Sequence, residues 1–253
     1  MTLAHDVAGD GPVVVLLHSG VCDRRMWDAQ WPGLIDAGHR VVRCDFRGFG
    51  ETAAPDRPYN DADDVLELLD ALGIGQAALV AASYGGRVAL EIAARRPDRV
   101  RAMALLCSGL AGLDPSAGLR EFREREEALI DAGDIAGAVD LNVDTWLGPD
   151  AGDAAREAVR RMQRRAFDVQ LAAEEFEPVA VDVDLSAIRA PCLVVSGGHD
   201  LIDFRRVAAR LHTLLADAHH LELPWAGHLP SLERPSAVTD LLVDFLRGPS
   251  LHR

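Results

Sequence analysis

Short apolar runs that alternate with amphipathic segments constrain the fold of this chain more than any other feature. Most of these runs are rich in Val, Leu and Ala, which is typical of strands buried on both faces of a sheet. Together with an expected edge strand, they cover residues 2–7, 13–18, 40–44, 77–82, 100–107, 192–196 and 220–223. Helical patterns separate them, and the one that begins at Gly86 ends at Arg96 because Pro97 follows. This order predicts an α/β fold with a mostly parallel central sheet and helices on both faces.

Residues 110–185 interrupt this alternation because they contain no convincing strand pattern. Their second half carries apolar residues at intervals of four, three, four and three, which places them on one face of a helix. These residues are Ala155, Val159, Met162, Ala166 and Val169. We therefore expect a core formed by residues 1–109 and 186–253 and an inserted helical cap, or lid, formed by residues 110–185.

The charge balance of the chain bears on its partners. Asp and Glu number 40 against 26 basic residues, so the formal net charge is −14. An acidic chain repels phosphate backbones and anionic membrane surfaces, so we expect neither nucleic acid nor membrane as a partner. Every basic residue is an arginine, which excludes a Schiff-base lysine and a P-loop lysine in this sequence. Hydrophobic residues make up 49% of the chain, which is sufficient for a sizeable core.

The cysteines and the first residues indicate the compartment. Cys22, Cys44, Cys107 and Cys192 are scattered, and the last three lie in apolar strand runs, where a free cysteine packs as a small hydrophobic side chain. We expect all four to be reduced and buried, which favours the cytoplasm. Residues 1–10 show no basic or apolar leader pattern, and no stretch approaches the roughly 18 apolar residues of a membrane span. Neither secretion nor membrane insertion is expected.

The turn after the third central run contains the strongest candidate for a nucleophile. Ser83 stands there between a buried strand and a helix, with Ala81 two positions before it and Gly85 two positions after it. This arrangement is close to the G-x-S-x-G nucleophile elbow, in which a tight, strained turn holds the serine hydroxyl above the sheet edge. Small residues are needed because both positions pack against the backbone of the turn. Ala81 departs from the usual glycine, and the alternative interpretation is an ordinary strand–helix turn with a capping serine.

A nucleophilic serine needs a base, and the base needs an acid that orients it. His228 follows the last strand run and Asp200 follows the fifth, so both are expected at the carboxyl edge of the sheet, where open α/β sheets carry their sites. Asp203 is the rival for the acid. We favour Asp200 because Asp203 is expected to cap the helix that begins near Phe204. The order serine, aspartate, histidine along the chain is that of the elbow architecture.

Two further segments complete a resemblance to a known family. The first is His18-Ser19-Gly20 after the first central strand, and the second is the sequence DFRGFGET at residues 45–52. With the serine turn and the acid and histidine loops, they resemble the α/β-hydrolase fold family over essentially the whole chain, and the helical insertion lies where that family carries its cap. The resemblance implies an oxyanion hole formed by the backbone N–H groups of Gly20 and Tyr84. Ser19 departs from the family pattern, which usually has glycine there.

Other residues are expected near the site without a role in bond breaking. His18 is expected to steady the oxyanion loop through hydrogen bonds rather than to catalyse, and Asp45 and Arg47 are expected to fix their turn. Four residues are candidates for the walls of a substrate pocket, although the tryptophans are equally compatible with the core. They are Trp27, Trp146, Trp225 and Cys107.

These residues favour a two-step acyl transfer in which Ser83 attacks a carbonyl carbon and His228 accepts the serine proton. We expect hydrolysis of an ester, lactone or related acyl bond in a small, uncharged and partly apolar substrate, with no cofactor and no metal. Two alternatives stay open: cofactor-free perhydrolase or haloperoxidase chemistry at the same serine, and a non-hydrolytic member that binds a ligand. The only partner expected is the small-molecule substrate, and the sequence is compatible with a monomer or a homodimer.

Overall fold

The computed structural model describes residues 2–174, 176, 178, 179 and 181–248. The strands within these residues are β1 (His5–Ala8), β2 (Val13–Leu17), β3 (Arg40–Cys44), β4 (Ala77–Ala82), β5 (Val100–Leu106), β6 (Cys192–Gly197) and β7 (Ala218–Leu223). The α-helices are α1 (Gln30–Asp36), α2 (Asp61–Ala71), α3 (Tyr84–Arg95), α4 (Ala117–Asp131), α5 (Ile135–Trp146), α6 (Asp153–Gln170), α7 (Ile202–Leu214), α8 (Pro230–Glu233) and α9 (Pro235–Leu246).

The strands form one sheet in the order β1-β3-β2-β4-β5-β6-β7. The edge strand β1 is antiparallel to β3, and the remaining neighbours run parallel to one another. The predicted α/β fold with a mostly parallel sheet is therefore confirmed. The edge strand begins at His5 rather than at residue 2, because Ala4 bonds to the turn after β3: its N–H donates to Thr52 Oγ1 at 2.9 Å and its carbonyl accepts from the Asp45 N–H at 2.9 Å.

Two apolar cores cover the two faces of the sheet. Alternate residues of β2 divide between them: Val15 and Leu17 face one core, and Val14 and Leu16 face the other. The first core is completed by apolar residues of α2, α3 and α7, and the second by residues of α1 and α9. Every residue of β4 and of β6 is buried, which explains why these runs lack polar alternation.

Helices α4, α5 and α6 occupy the connection between β5 and β6, and residues 110–185 contain no strand in the part that the structure describes. Their apolar faces join the second core through residues such as Trp146, Val159 and Met162. Ion pairs link α5 to α6 on the outside, for example Arg160 to Asp140 at 2.9 Å. The division into a core and a cap at residues 110 and 185 stays a prediction.

Two other expectations concern the chain as a whole. All four cysteines are free and buried, as predicted. Among the described residues, no helix combines the length and the apolar character that a membrane crossing requires.

Candidate active site

Ser83 lies in a strained turn directly after β4 and immediately before α3. Its backbone has φ 49° and ψ −111°, a region that residues other than glycine rarely adopt. Neighbouring backbone holds this conformation: the Ser83 N–H donates to the Leu106 carbonyl at 3.0 Å, and the Ser83 carbonyl accepts from the Gly109 N–H at 2.9 Å. The loop after β5 therefore buttresses the serine from the next strand of the sheet.

The residues two positions from Ser83 explain why the turn needs small side chains. A Cβ atom at Gly85 would lie 2.6 Å from the carbonyl oxygens of Leu17 and His18, so no side chain fits there. Ala81 is fully buried in the first core, where its methyl group is accommodated although the usual motif has glycine. The strand–turn–helix context of the elbow is thus present despite the departure at Ala81.

Asp200 and His228 form a buried pair at the carboxyl ends of β6 and β7. The Nδ1 atom of His228 lies 2.8 Å from Oδ2 of Asp200, and the two side chains are only 2% and 1% exposed. The other carboxylate oxygen, Oδ1, accepts the Leu201 N–H at 2.7 Å. The carboxylate therefore fixes the imidazole so that its Nε2 atom is the nitrogen left for a reaction partner.

Asp203, the rival acid, lies elsewhere and does not cap α7 as expected. The residue that precedes α7 is Leu201, and no side chain caps that helix. Asp203 instead accepts hydrogen bonds from the Ser116 N–H at 2.7 Å and the Ser116 hydroxyl at 2.5 Å. It holds the residue before α4, because Ser116 offers two donors to one carboxylate.

The loop that carries His228 is held by a residue that sequence reasoning missed. Glu233, in α8, accepts the Gly227 N–H at 3.0 Å and the Leu229 N–H at 3.3 Å, so it grips the backbone on both sides of His228. Burial raises the pKa of this carboxyl group. Gly197 allows the close approach of β6 to the loop, since a Cβ atom there would lie 1.9 Å from the Gly227 carbonyl oxygen.

Aromatic rings enclose the His228 imidazole. The ring centroid of Phe204 lies 4.1 Å away and that of Trp146 lies 4.7 Å away. The backbone of the loop is also tied to α5, because the His228 N–H donates to the Trp146 carbonyl at 2.9 Å. The last residue of α5 therefore helps to position the histidine.

The loop after β2 places Gly20 beside Tyr84. A Cβ atom at Gly20 would lie 3.5 Å from the Tyr84 Cβ atom, so the two implied oxyanion donors belong to adjacent backbone segments. The Ser19 N–H, by contrast, donates to the Met26 sulfur at 3.3 Å. The N–H of Ser19 is thus already bonded to Met26, and Gly20 is the residue of this loop that lies next to the elbow.

His18 joins that loop to the turn after β3 by using both of its ring nitrogens. The Phe46 N–H donates to Nε2 at 3.0 Å, and Nδ1 lies 2.8 Å from the Ser19 carbonyl, to which it donates. Because Nε2 accepts a hydrogen bond, it carries no proton and the ring is neutral. Complete burial lowers the pKa of His18, which favours this neutral form. These contacts match the steadying role expected from the sequence.

The turn at residues 45–52 is fixed by its charged side chains. Asp45 accepts the Arg24 N–H at 2.7 Å and the Glu51 N–H at 2.9 Å. Arg47 forms a bidentate pair with Asp64, with both N–O distances at 2.6 Å. The turn therefore has the rigidity expected of it, and it carries Phe46 to the edge of the Tyr84 ring, with centroids 5.6 Å apart.

Two cavities flank the elbow and meet at Tyr84. Cavity I, with a volume of about 490 Å³, is lined by Ser83, Tyr84 and Phe204 among others, so it reaches both the serine and a ring that contacts His228. Cavity II, with a volume of about 510 Å³, is lined by Gly20 and Tyr84 among others. Each volume is in the range of small-molecule sites.

The four residues expected in the pocket walls line neither cavity. Trp27 is fully buried in the second core, because the strands and helices around it leave no open face. Trp146 packs its ring against His228, and Trp225 packs its ring against Arg234, 4.6 Å from the guanidinium carbon. Cys107 is completely buried beneath the histidine loop, with Sγ 3.7 Å from the Gly227 carbonyl oxygen. These residues support the site rather than face the two cavities.

Cys107 also lies close enough to the acid and the base to form a possible ligand set for a metal. Its Sγ atom, a carboxylate oxygen of Asp200 and a ring nitrogen of His228 lie within 4.8 Å of one another. The arrangement does not favour a metal, because His228 Nδ1 already bonds to Asp200, and burial raises the pKa of the Cys107 thiol, which keeps it protonated. That no metal takes part stays a prediction.

The strand order, the strained serine after β4 and the buried carboxylate–imidazole pair after β6 and β7 are features of one class of enzymes. A family model described as the alpha/beta hydrolase family matches residues 14–241. The chain therefore belongs to the α/β-hydrolase family, and it is an enzyme of the hydrolase class.

Relatives over nearly the full length include several named hydrolases. A putative carbamate hydrolase, RutD, from Variovorax paradoxus (strain S110) is 31% identical over 97% of this chain and 96% of its own. A 2-hydroxy-6-oxo-6-phenylhexa-2,4-dienoate hydrolase from Comamonas testosteroni is 28% identical over 96% of this chain and 90% of its own. Among solved structures, the enol-lactonase from Burkholderia xenovorans LB400 has a TM-score of 0.81 and 28% identity, covering 97% of this chain and 96% of its own.

Proposed function

We propose that this enzyme hydrolyses an ester, lactone or related acyl bond of a small, partly apolar substrate through Ser83, His228 and Asp200. The observation that carries the proposal is the buried contact of 2.8 Å between His228 Nδ1 and Asp200 Oδ2, at the same sheet edge as the strained Ser83. The names of two similar proteins, a putative carbamate hydrolase and an enol-lactonase, favour acyl chemistry as well.

In the proposed reaction, His228 Nε2 accepts the Ser83 hydroxyl proton while Oγ attacks the carbonyl carbon of the substrate. Asp200 stabilises the imidazolium and keeps its orientation. The collapsing intermediate expels the leaving group, to which His228 returns the proton, and an acyl-enzyme remains on Ser83. Water then attacks this acyl group with His228 as its base, which releases the acid and restores the serine.

The backbone N–H groups of Tyr84 and Gly20 are the proposed donors to the oxyanion. The proximity of Gly20 to the elbow supports this assignment, and one such donor is worth about 3 kcal/mol of barrier in other oxyanion holes. Helices α4–α6 are proposed as the cap over the site, because α5 supplies both a ring and a backbone carbonyl to His228. The free, buried cysteines support a cytoplasmic location.

Reaction with a small organophosphonate, read as the mass of the intact protein, tests the nucleophile. The wild-type chain is expected to gain one adduct, and Ser83→Ala is expected to gain none. Ser108→Ala is the matched control, since Ser108 follows β5 at the same sheet edge but donates its hydroxyl to the Gly109 carbonyl at 2.9 Å. This variant is expected to gain the adduct.

A folded wild-type chain that gains no adduct would refute the proposed nucleophile and favour a ligand-binding member of the family. An adduct in Ser83→Ala would assign the reactive group to another residue. Turnover of acyl esters by the wild type, lost in Ser83→Ala with an unchanged melting temperature, completes the test of hydrolysis.

A further inference from the structure

Cavity I, which contains Ser83, has an arginine-rich wall. Four exposed arginines from three helices line it: Arg87 from the first turns of α3, Arg123 from α4, and Arg206 and Arg210 from α7. Arg206 and Arg210 are four positions apart and so lie on one helix face. A chain with a formal net charge of −14 thus gathers positive charge at the opening beside its serine.

These arginines differ from most others in having no carboxylate partner. Among the residues that the structure describes, none of the four forms an ion pair within 4.0 Å. Their neighbour Arg205 does, with Glu222 at 3.3 Å, and so do arginines elsewhere, such as Arg95 and Arg160. Four guanidinium groups around one cavity repel each other unless an anion from outside compensates them.

The acidic residues of the same wall compensate only part of this positive charge. Asp203 lines cavity I, but its two oxygens are taken by the N–H and hydroxyl of Ser116. Asp114 is exposed and contributes one further negative charge. Four positive groups against two negative groups leave the cavity net positive.

Cavity I also has apolar side chains in its wall, and these are less exposed than the arginines. Leu110, Leu119 and Phe204 are partly buried and Val207 is buried, whereas the four arginines are exposed. The cavity therefore combines an apolar interior next to Ser83 with a cationic rim. A molecule that fits both parts has a short hydrocarbon segment that ends in an anionic group.

We propose that cavity I selects substrates that carry a carboxylate on the far side of a short apolar segment from the scissile acyl bond. The inference rests on the proposed function of Ser83, and it replaces the expectation of an uncharged substrate, which was drawn from the apolar stripe of the cap alone. Guanidinium groups suit this role because they present paired N–H donors that match a carboxylate and remain charged at all physiological pH values.

A pair of chromogenic esters with the same six-carbon acyl chain tests the proposal. The first is the 4-nitrophenyl monoester of adipic acid, which ends in a carboxylate, and the second is the same compound with its carboxylate capped as a methyl ester. The measured quantity is the ratio of their kcat/KM values. We expect the wild type to favour the acid by about tenfold or more, mainly through KM, and the preference to shrink at high salt because the arginines are exposed.

Arginine variants test which residues cause the preference for the acid. In Arg206→Gln/Arg210→Gln the ratio is expected to fall about tenfold, and in Arg206→Lys/Arg210→Lys, which keeps the charge, it is expected to fall less. Arg189→Gln is the control for loss of an arginine charge elsewhere: Arg189 is exposed and precedes β6 at the opposite edge of the sheet, so its replacement is expected to leave the ratio unchanged. Melting temperatures exclude loss of fold as the cause.

A wild-type ratio near one, or a ratio that survives loss of both α7 arginines, would overturn the anion-selective cavity while leaving Ser83 hydrolysis intact. If neither ester reacts, calorimetric titration of Ser83→Ala with the adipate monoester still decides the matter. Binding that Arg206→Gln/Arg210→Gln weakens at least about fivefold supports the cavity even when the proposed hydrolysis fails. An affinity that these substitutions leave unchanged would refute the anion-selective cavity.

Discussion

Asp61 is a buried carboxyl group whose ionisation should make the fold less stable as the pH rises. It is the first residue of α2 and is only 4% exposed. Its Oδ2 atom accepts the Tyr84 hydroxyl, and its Oδ1 atom has no hydrogen-bond partner among the described residues. Burial raises the pKa of Asp61 from 3.8 to about 6, and the nearby Asp64 carboxylate contributes to the rise. The substitution Asp61→Asn retains an acceptor for Tyr84 and removes the charge.

The size of the effect follows from the difference in pKa between the folded and unfolded chain. In the unfolded chain Asp61 ionises above about pH 3.8, whereas in the folded chain it keeps its proton up to about pH 6. The free energy of unfolding therefore falls as the pH rises between these values. Between pH 4 and pH 8 the loss is about 2.5 kcal/mol, at about 1.4 kcal/mol per pKa unit. For a chain of this size it corresponds to a change in melting temperature of about 5–10 °C.

Melting temperatures of the wild type and Asp61→Asn, measured at several pH values from 4 to 8, test this reasoning. The variant should gain on the wild type as the pH rises, and the gain should level off above pH 7. Comparing the difference at two pH values removes any effect of the substitution that does not depend on pH. Glu67→Gln, an exposed change of the same charge on α2, should follow the wild type. Parallel curves for Asp61→Asn and the wild type would show that Asp61 does not titrate as its burial requires.

Three further predictions concern the elbow and the proposed triad. Asp200→Asn should lower kcat by about 10²–10⁴-fold. Asp203→Asn should lower kcat far less, because Asp203 bonds to Ser116 rather than to His228. Equal losses of kcat in the two variants would contradict the choice of Asp200 as the acid. Gly85→Ala should lower the free energy of unfolding by about 3 kcal/mol, because the new Cβ atom clashes with two carbonyl oxygens. The control is Gly75→Ala, whose Cβ atom meets nothing within 4 Å, and its midpoint of urea unfolding should equal that of the wild type. Glu233→Gln should reduce kcat about tenfold because the amide nitrogen that replaces one carboxylate oxygen would face the Gly227 N–H, donor against donor; an unchanged kcat would show that the loop does not need both oxygens.

The sheet and the elbow could be predicted because their causes are local in the sequence. A buried parallel strand needs an uninterrupted apolar run, and β4 supplies it directly before Ser83. The end of α3 could also be predicted, because Pro97 has no N–H to donate to the previous turn. The carboxyl-edge positions of Asp200 and His228 then follow from the order of strands, without knowledge of any long-range contact.

The surroundings of Ser83, Asp200 and His228 could not be predicted because they depend on contacts between distant segments. Asp203 lies in the first turn of α7, yet it bonds to Ser116, which lies 87 residues earlier in the connection between β5 and β6. Trp27 and Trp146 look alike as sequence positions and both lie in the second core, but only the packing shows that Trp146 also lies against the imidazole of His228. The arginine rim likewise arises where α3, α4 and α7 meet.

The order of the strands has a consequence for how the enzyme comes into being during synthesis. Strands β1–β5 and the serine turn lie in the first part of the chain, whereas Asp200 and His228, the proposed acid and base, follow β6 and β7. Pairing β6 with β5 closes a connection of about 85 residues, with a loop-entropy cost of roughly 4 kcal/mol, so this half of the sheet is expected to join late. Under the proposed mechanism, a growing chain carries the strained Ser83 before the imidazole of His228 is in place to activate it, so a chain that stops early is expected to be inert toward acyl compounds.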